Sequence, residues 1–197
     1  MAQPIVKDLV FLGGGHTHAI ALRKFGMQPL PGVRLTLITN LTDTPYSGML
    51  PCHISGLYDF DESHIDLRPL SQFAQCQLLM DRAVGIDPVN QQVICAHHPP
   101  VAFDVLSIDT GSTPATLDVP GAAAYAIPAK PVPDLLSAWE ALLTQVRHSA
   151  APIAVAVVGG GVGGVELTLN MQRRLWQVLE AAGDRKSTRL NSSHRCI

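Results

Sequence analysis

One arrangement occurs twice in this chain: an apolar strand, a glycine turn and a helix. The first copy reads LVFLGGGHTHAIALRKFG and the second AVAVVGGGVGGVELTLN, with their turns about 146 residues apart. A strand covered on both faces is a nearly continuous apolar run, as in parallel sheets flanked by helices. A glycine turn that feeds a helix leaves unpaired N–H groups and partial positive charge at the helix start, which suits a phosphate. The pair predicts an α/β fold with two Rossmann-like units.

The second turn carries the fuller motif. Gly159, Gly161 and Gly164 complete GxGxxG directly after a strand and directly before a helix. The first glycine permits the tight turn, the second lets backbone approach a pyrophosphate, and the third lets the helix pack on the strand. The alternative, a purely structural glycine turn, is disfavoured by the strand and helix context. In the first turn Gly13, Gly14 and Gly15 precede His16, and His18 stands where a third glycine would be. A larger residue there implies more room between helix and strand. The acidic ribose partner expected roughly 20 residues on is missing. The following strand ends in Thr39-Asn40, and Asn40 can bond a ribose hydroxyl as a neutral group.

Strands are predicted over 5–12, 33–39, 78–86, 91–96, 102–109 and 152–158, and helices over 16–27, 50–58, 65–74, 133–148 and 165–182. Helix-crossed strands first and hairpin-like strands next give a parallel sheet plus a small antiparallel layer. The implied domains are a first dinucleotide-binding domain at 1–115, a connecting segment and helix at 116–150, and the start of a second such domain at 151–183. Residues 184–197 hold four basic residues and one acid, and the stretch DRKSTRLNSSH resembles a sequencing adapter translated in one frame. Whether that or a polar native tail, it is set aside from fold reasoning.

Composition excludes several classes. With 47% hydrophobic and 15% charged residues the chain is not of the disordered kind, and no apolar run reaches the roughly 18 residues of a membrane span. A net charge of −2 gives no footprint for nucleic acid. The start lacks signal-peptide features, so a cytoplasmic protein is expected. Cys52, Cys76, Cys95 and Cys196 show no CxxC spacing, and reduced thiols are the simple reading. His16 and His18 form an HxH pair, but i and i+2 do not share a helix face and zinc needs three or four ligands, so no metal site is expected. His97-His98 read as solvated turn residues.

Two dinucleotide turns on one chain have a chemical logic. One site would hold a tightly bound flavin and the other a transient nicotinamide, while the protein orients the two reactive rings. Little acid–base chemistry is asked of side chains, so no triad or carboxylate pair is required.

On these residues the chain resembles the pyridine nucleotide-disulfide oxidoreductase-like flavoproteins, close to type-two NADH dehydrogenases. It most resembles the flavoprotein module fused ahead of selenide, water dikinase in cyanobacteria. The stretches that carry this are LVFLGGGHTHAIALRKFG, TPYSGMLPCHISGLYDFDESHIDLRPLSQFA, FDVLSIDTGSTP and VVGGGVGGVELTLNM. The resemblance implies an FAD-dependent oxidoreductase that passes a hydride from NAD(P)H to flavin and on to a small acceptor, a quinone or a selenium- or sulfur-linked compound. It implies Gly13, Gly14, Gly15 and His16 at the FAD diphosphate, Asn40 near the adenosine ribose, and Ser47, Gly48 and Met49 along the flavin. It also implies the Val84 backbone at adenine, Thr110-Gly111 where the chain leaves the FAD domain, and Gly159, Gly161 and Gly164 at NAD(P)H. Glu166 would sit near the junction of nicotinamide and flavin. Its other reading is a helix-dipole acid, favourable by about 0.3–1 kcal/mol.

The sequence departs from that group in three ways. The redox CxxxxC pair is absent, Cys52 stands where glycine is usual, and the second domain stops after its first strand and helix. An N-terminal fragment, inactive alone and poor at retaining FAD, is therefore expected, with any membrane-surface contact belonging to the intact protein. Two other readings stay open: a non-catalytic nucleotide-binding module, and a sulfide:quinone-type enzyme on the same scaffold.

Overall fold

The computed structural model describes residues 4–112, 119–149 and 151–183. The tail 184–197 with Cys196 lies outside the described residues. In chain order the elements are β1 (Lys7–Leu12), α1 (His16–Met27), β2 (Val33–Thr39), β3 (Asp43–Pro45), α2 (Leu50–Ile54), α3 (Phe60–Ser63), β4 (His64–Asp66), α4 (Leu67–Phe73), β5 (Gln77–Met80), β6 (Ala83–Asp87), β7 (Gln92–Cys95), β8 (Val101–Ala102), β9 (Val105–Ile108), α5 (Ala122–Tyr125), α6 (Val132–His148) and α7 (Val162–Ala181). They fall into two units. One takes residues 4–44 and 64–111; the other takes 45–63 and the described residues after 111. Residues 45–63 thus group with the later part of the chain rather than with the rest of 1–115.

In the first unit a parallel sheet runs in the order β5-β2-β1-β9. Strand β1 is central, in register from Lys7↔Val33 to Leu12↔Ile38 with β2 and from Leu9↔Val105 to Leu12↔Ile108 with β9. Alternate side chains take opposite faces. Phe11, Leu35 and Leu37 pack with Ala19 and Leu22 of α1 and Leu67 of α4. Val10, Leu12 and Ile38 pack with Val93 and Cys95 of the antiparallel sheet β6-β7-β8. Both faces are covered, which is why the strands read as unbroken apolar runs. Strands β3 and β4 form a separate two-stranded ribbon where the sequence reads as loop and helix start.

Two predicted strands are each two. The run 78–86 divides into β5 and β6, which belong to different sheets. The break falls at buried Asp81, whose carboxylate accepts from the N–H groups of Arg82, His97 and His98. The run 102–109 divides likewise into β8 and β9, and between them the Asp104 N–H donates to the Asp8 carbonyl. Helix α4 starts at Leu67, two residues later than predicted, because Asp66 caps it by accepting from the Arg68 N–H at 2.9 Å.

In the second unit α2, α6 and α7 bury Leu50, Ile54, Leu135, Trp139, Leu143, Leu175 and Val178 against one another. Positions 135, 139 and 143 recur every fourth residue on α6, one helical face. Helix α6 starts one residue before Pro133, as a proline in the first turn allows. The predicted strand 152–158 is not a strand among the described residues. A strand is held by hydrogen bonds to a neighbour, and among the described residues no strand pairs with this segment; Val158 is 89% exposed. No helix among the described residues is long and apolar enough to cross a membrane.

Candidate dinucleotide site

The sheet order places the first glycine turn at a special point. From β1 the chain builds β2 and then β5 on one side, and later adds β9 on the other. Strand order therefore reverses between β1 and β9, and open α/β sheets bind ligands at the carboxyl ends of strands at such a reversal. Turn 13–15 leaves β1 there, and Asp109-Thr110-Gly111 leaves β9 beside it. Gly13 has φ +93°, and a Cβ on it would overlap the Asp109 carbonyl and come within 2.9 Å of Thr110 Cα. Its N–H donates to the Ile38 carbonyl at 2.8 Å. A Cβ on Gly14 would lie 2.5 Å from a Leu67 methyl and 3.0 Å from Thr39 Oγ1. Gly15 is the extended N-cap of α1, and its N–H donates to the Asp109 carbonyl at 3.2 Å.

His18 explains how the turn works without a third glycine. Its ring is fully buried and fills the space between helix and strand. Nδ1 lies 2.7 Å from the Gly13 carbonyl and Nε2 lies 2.9 Å from Ser107 Oγ. A carbonyl only accepts, so Nδ1 carries the hydrogen; in the neutral ring Nε2 then accepts from the Ser107 hydroxyl. The ring also leans on Phe11, centroids 4.9 Å apart.

Asp109 is not among the residues that the motifs single out, yet it completes the turn. Its Oδ2 accepts from the Thr17 N–H at 2.9 Å and the His18 N–H at 3.3 Å, both in the first turn of α1. The helix start therefore already holds an anionic oxygen, as orphan N–H groups do. A carboxylate here stands in for a phosphate oxygen, and by that observation the residues fit a diphosphate. No sequence signal marks it: the register of β9 against β1, Leu12↔Ile108, is what sets Asp109 beside Gly13.

The remaining expected residues of this unit are spread along it. His16 opens α1 and is exposed; Asn40, Thr110 and Gly111 are exposed at the same carboxyl edge of the sheet. Val84 is 56% exposed on β6, in the other sheet.

The second turn repeats the backbone of the first. Gly159 has φ +129°, and Gly161 caps α7 with φ −74° and ψ 170°, against −65° and 169° for Gly15. A Cβ on Gly164 would overlap the Gly159 carbonyl, so glycine is required at the place where His18 fits in the first turn. Because Gly161 is the cap, α7 begins at Val162, three residues earlier than predicted. Glu166 consequently lies beyond the first turn, exposed, with its carbonyl accepting from Asn170 Nδ2 at 2.9 Å. In the same unit Ser47 and Gly48 are exposed and Met49 is half-buried just before α2. A Cβ on Gly48 would come 3.2 Å from the Tyr46 ring.

Other titratable groups play structural parts. His97 and His98 are more than solvated: each turns Nδ1 toward buried Asp81, at 3.0 and 2.9 Å. Burial opposes the Asp81 charge, but the His97 amide, both imidazoles and the Arg82 amide outweigh it and hold the carboxyl far below the usual range. Burial pushes the Cys76 thiol up to about 12, and burial together with the Asp81 charge raises that of Cys95. Both are therefore protonated at neutral pH and poor nucleophiles. Cys52 is half-buried and unpaired. Among the described residues no three His, Cys, Asp or Glu side chains group as a metal site.

Comparison with known proteins bears on these turns. The chain is similar to the sulfide:quinone oxidoreductase of Aquifex aeolicus (21% identity, TM-score 0.67, 92% of this chain and 42% of that one). It is similar to NDH2 of Plasmodium falciparum, solved with NADH (21% identity, TM-score 0.71, 90% and 39%). It is also similar to NADH:rubredoxin oxidoreductase of Clostridium acetobutylicum (19% identity, TM-score 0.64, 85% and 42%). At such identities the likeness is one of fold, and this chain spans about two fifths of each structure. No curated protein sequence matches significantly. The pyridine nucleotide-disulphide oxidoreductase profile, whose proteins use FAD and NAD(P)H, matches residues 7–186 and so takes in both glycine turns. The chain belongs to the pyridine nucleotide-disulphide oxidoreductase family.

Proposed function

We propose that this chain supplies the diphosphate seat for FAD and the dinucleotide turn for NAD(P)H in an FAD-dependent NAD(P)H oxidoreductase. One observation carries the reading: the 13–15 turn lies where strand order reverses, and the α1 amides beside it hold an anionic oxygen. When bound, FAD supplies a redox ring that accepts a hydride and passes electrons to a further acceptor. The chain's own residues bind and orient. Gly13, Gly14, Gly15 and His16 face the FAD diphosphate, Asn40 its ribose, the Val84 backbone its adenine, and Thr110-Gly111 close the turn. Ser47, Gly48 and Met49 line the flavin side. Gly159, Gly161 and Gly164 take NAD(P)H, with Glu166 toward the nicotinamide.

For the acceptor, a quinone or a selenium- or sulfur-linked compound fits this reading. The stretches YSGMLP and LSIDTGSTP support the finer kinship, to the module that precedes selenide, water dikinase. Cys76 and Cys95, buried and protonated, lend no support to a thiol route through this part of the chain.

The second turn is tested by calorimetric titration with NADH. Gly161→Val should abolish NADH binding, because a branched side chain stands where backbone must approach the pyrophosphate. FAD binding should be unchanged. NADH binding that survives the substitution, or is absent from the wild type, would overturn this assignment.

A further inference from the structure

Gly15 is the residue whose missing side chain lets a diphosphate approach the backbone. Here that space is filled by the chain itself: a Cβ on Gly15 would overlap Cγ, Oδ1 and Oδ2 of Asp109. The same carboxylate holds the Thr17 and His18 N–H groups, 2.9 and 3.3 Å away. A helix start carries the equivalent of about half a positive charge. One carboxylate already offsets it. A diphosphate arriving at α1 must either take these donors from Asp109 or sit beside its negative charge, and both weaken binding.

We propose that Asp109 is a positioning residue that sets cofactor affinity, a built-in competitor for the diphosphate at the start of α1. The proposal rests on the FAD reading above. Asp109 caps the helix when the diphosphate is away and lowers the affinity when it arrives. The turn is thereby kept folded without ligand, and the hold on the dinucleotide is loosened. A merely structural cap would act differently, because its loss would weaken folding and binding together.

The test uses Asp109→Asn and Asp109→Ala in the full 197-residue chain, titrated with FAD and with ADP at low salt, alongside thermal melts without ligand. Asparagine keeps a capping oxygen and removes the charge. Asp109→Asn should bind FAD about tenfold more tightly, while its Tm falls by no more than about 2–4 °C as the favourable charge at the helix start is lost. Asp109→Ala should also bind more tightly, while its Tm falls by about 2–4 °C through loss of the cap. Equal or weaker FAD binding by Asp109→Asn, with a wild type that does bind FAD, overturns the proposal alone. If neither the wild type nor the variants take up FAD or ADP, the FAD reading fails and the proposal with it.

Discussion

Gly15 and Asp109 compete for one space, and the competition can be measured. Gly15→Ala should destabilise the protein by about 1–3 kcal/mol in urea denaturation, since the added methyl overlaps a carboxylate held by two amides. In an Asp109→Ala background the same change should cost little, and the difference gives the coupling between the two positions. Additive effects would show that the two residues do not share the space. The glycines and His18 stand out in the sequence, because glycine and its exception are visible in a motif. Asp109 does not, since its partners Thr17 and His18 lie 92 and 91 residues away. His18 could be read as an oddity but not as a buried bridge between Gly13 and Ser107, which needs the register of β9 against β1.

At the level of elements, the apolar runs announced the parallel strands, and their polar interruptions were harder to weigh. Asp81 is one. It ends β5, turns the chain toward the other sheet and ties down the 97–98 turn, 16 residues later. Its carboxyl is held far below the ordinary value near 4. The stabilisation it gives is therefore complete above the unfolded value and is lost as pH falls below about 4 toward the folded one. Melts between pH 7 and pH 3 should show the wild-type Tm falling more steeply than that of Asp81→Asn. At pH 7 the variant should melt several degrees lower. Parallel curves would remove Asp81 from this role. The segment 152–158 teaches the converse: a valine-rich run with strand propensity forms no strand where, among the described residues, no neighbouring strand pairs with it.

For the whole molecule, the apolar runs and the repeated glycine turn feeding a helix made the α/β class and the two glycine turns legible in the sequence. Both turns then share a positive-φ first glycine and an extended capping glycine. The grouping of 45–63 with the later part of the chain was not legible, because it depends on α2 packing with α6 and α7 through Leu50 and Ile54. The central claim is that turn 13–15 grips a diphosphate. It is tested most directly by titrating the wild-type chain with FAD and, in parallel, with riboflavin, which has the same ring and no phosphate. The account predicts weak but saturable uptake of FAD, displaced by ADP, and no measurable uptake of riboflavin. Equal binding of the two, or binding of neither, would contradict it.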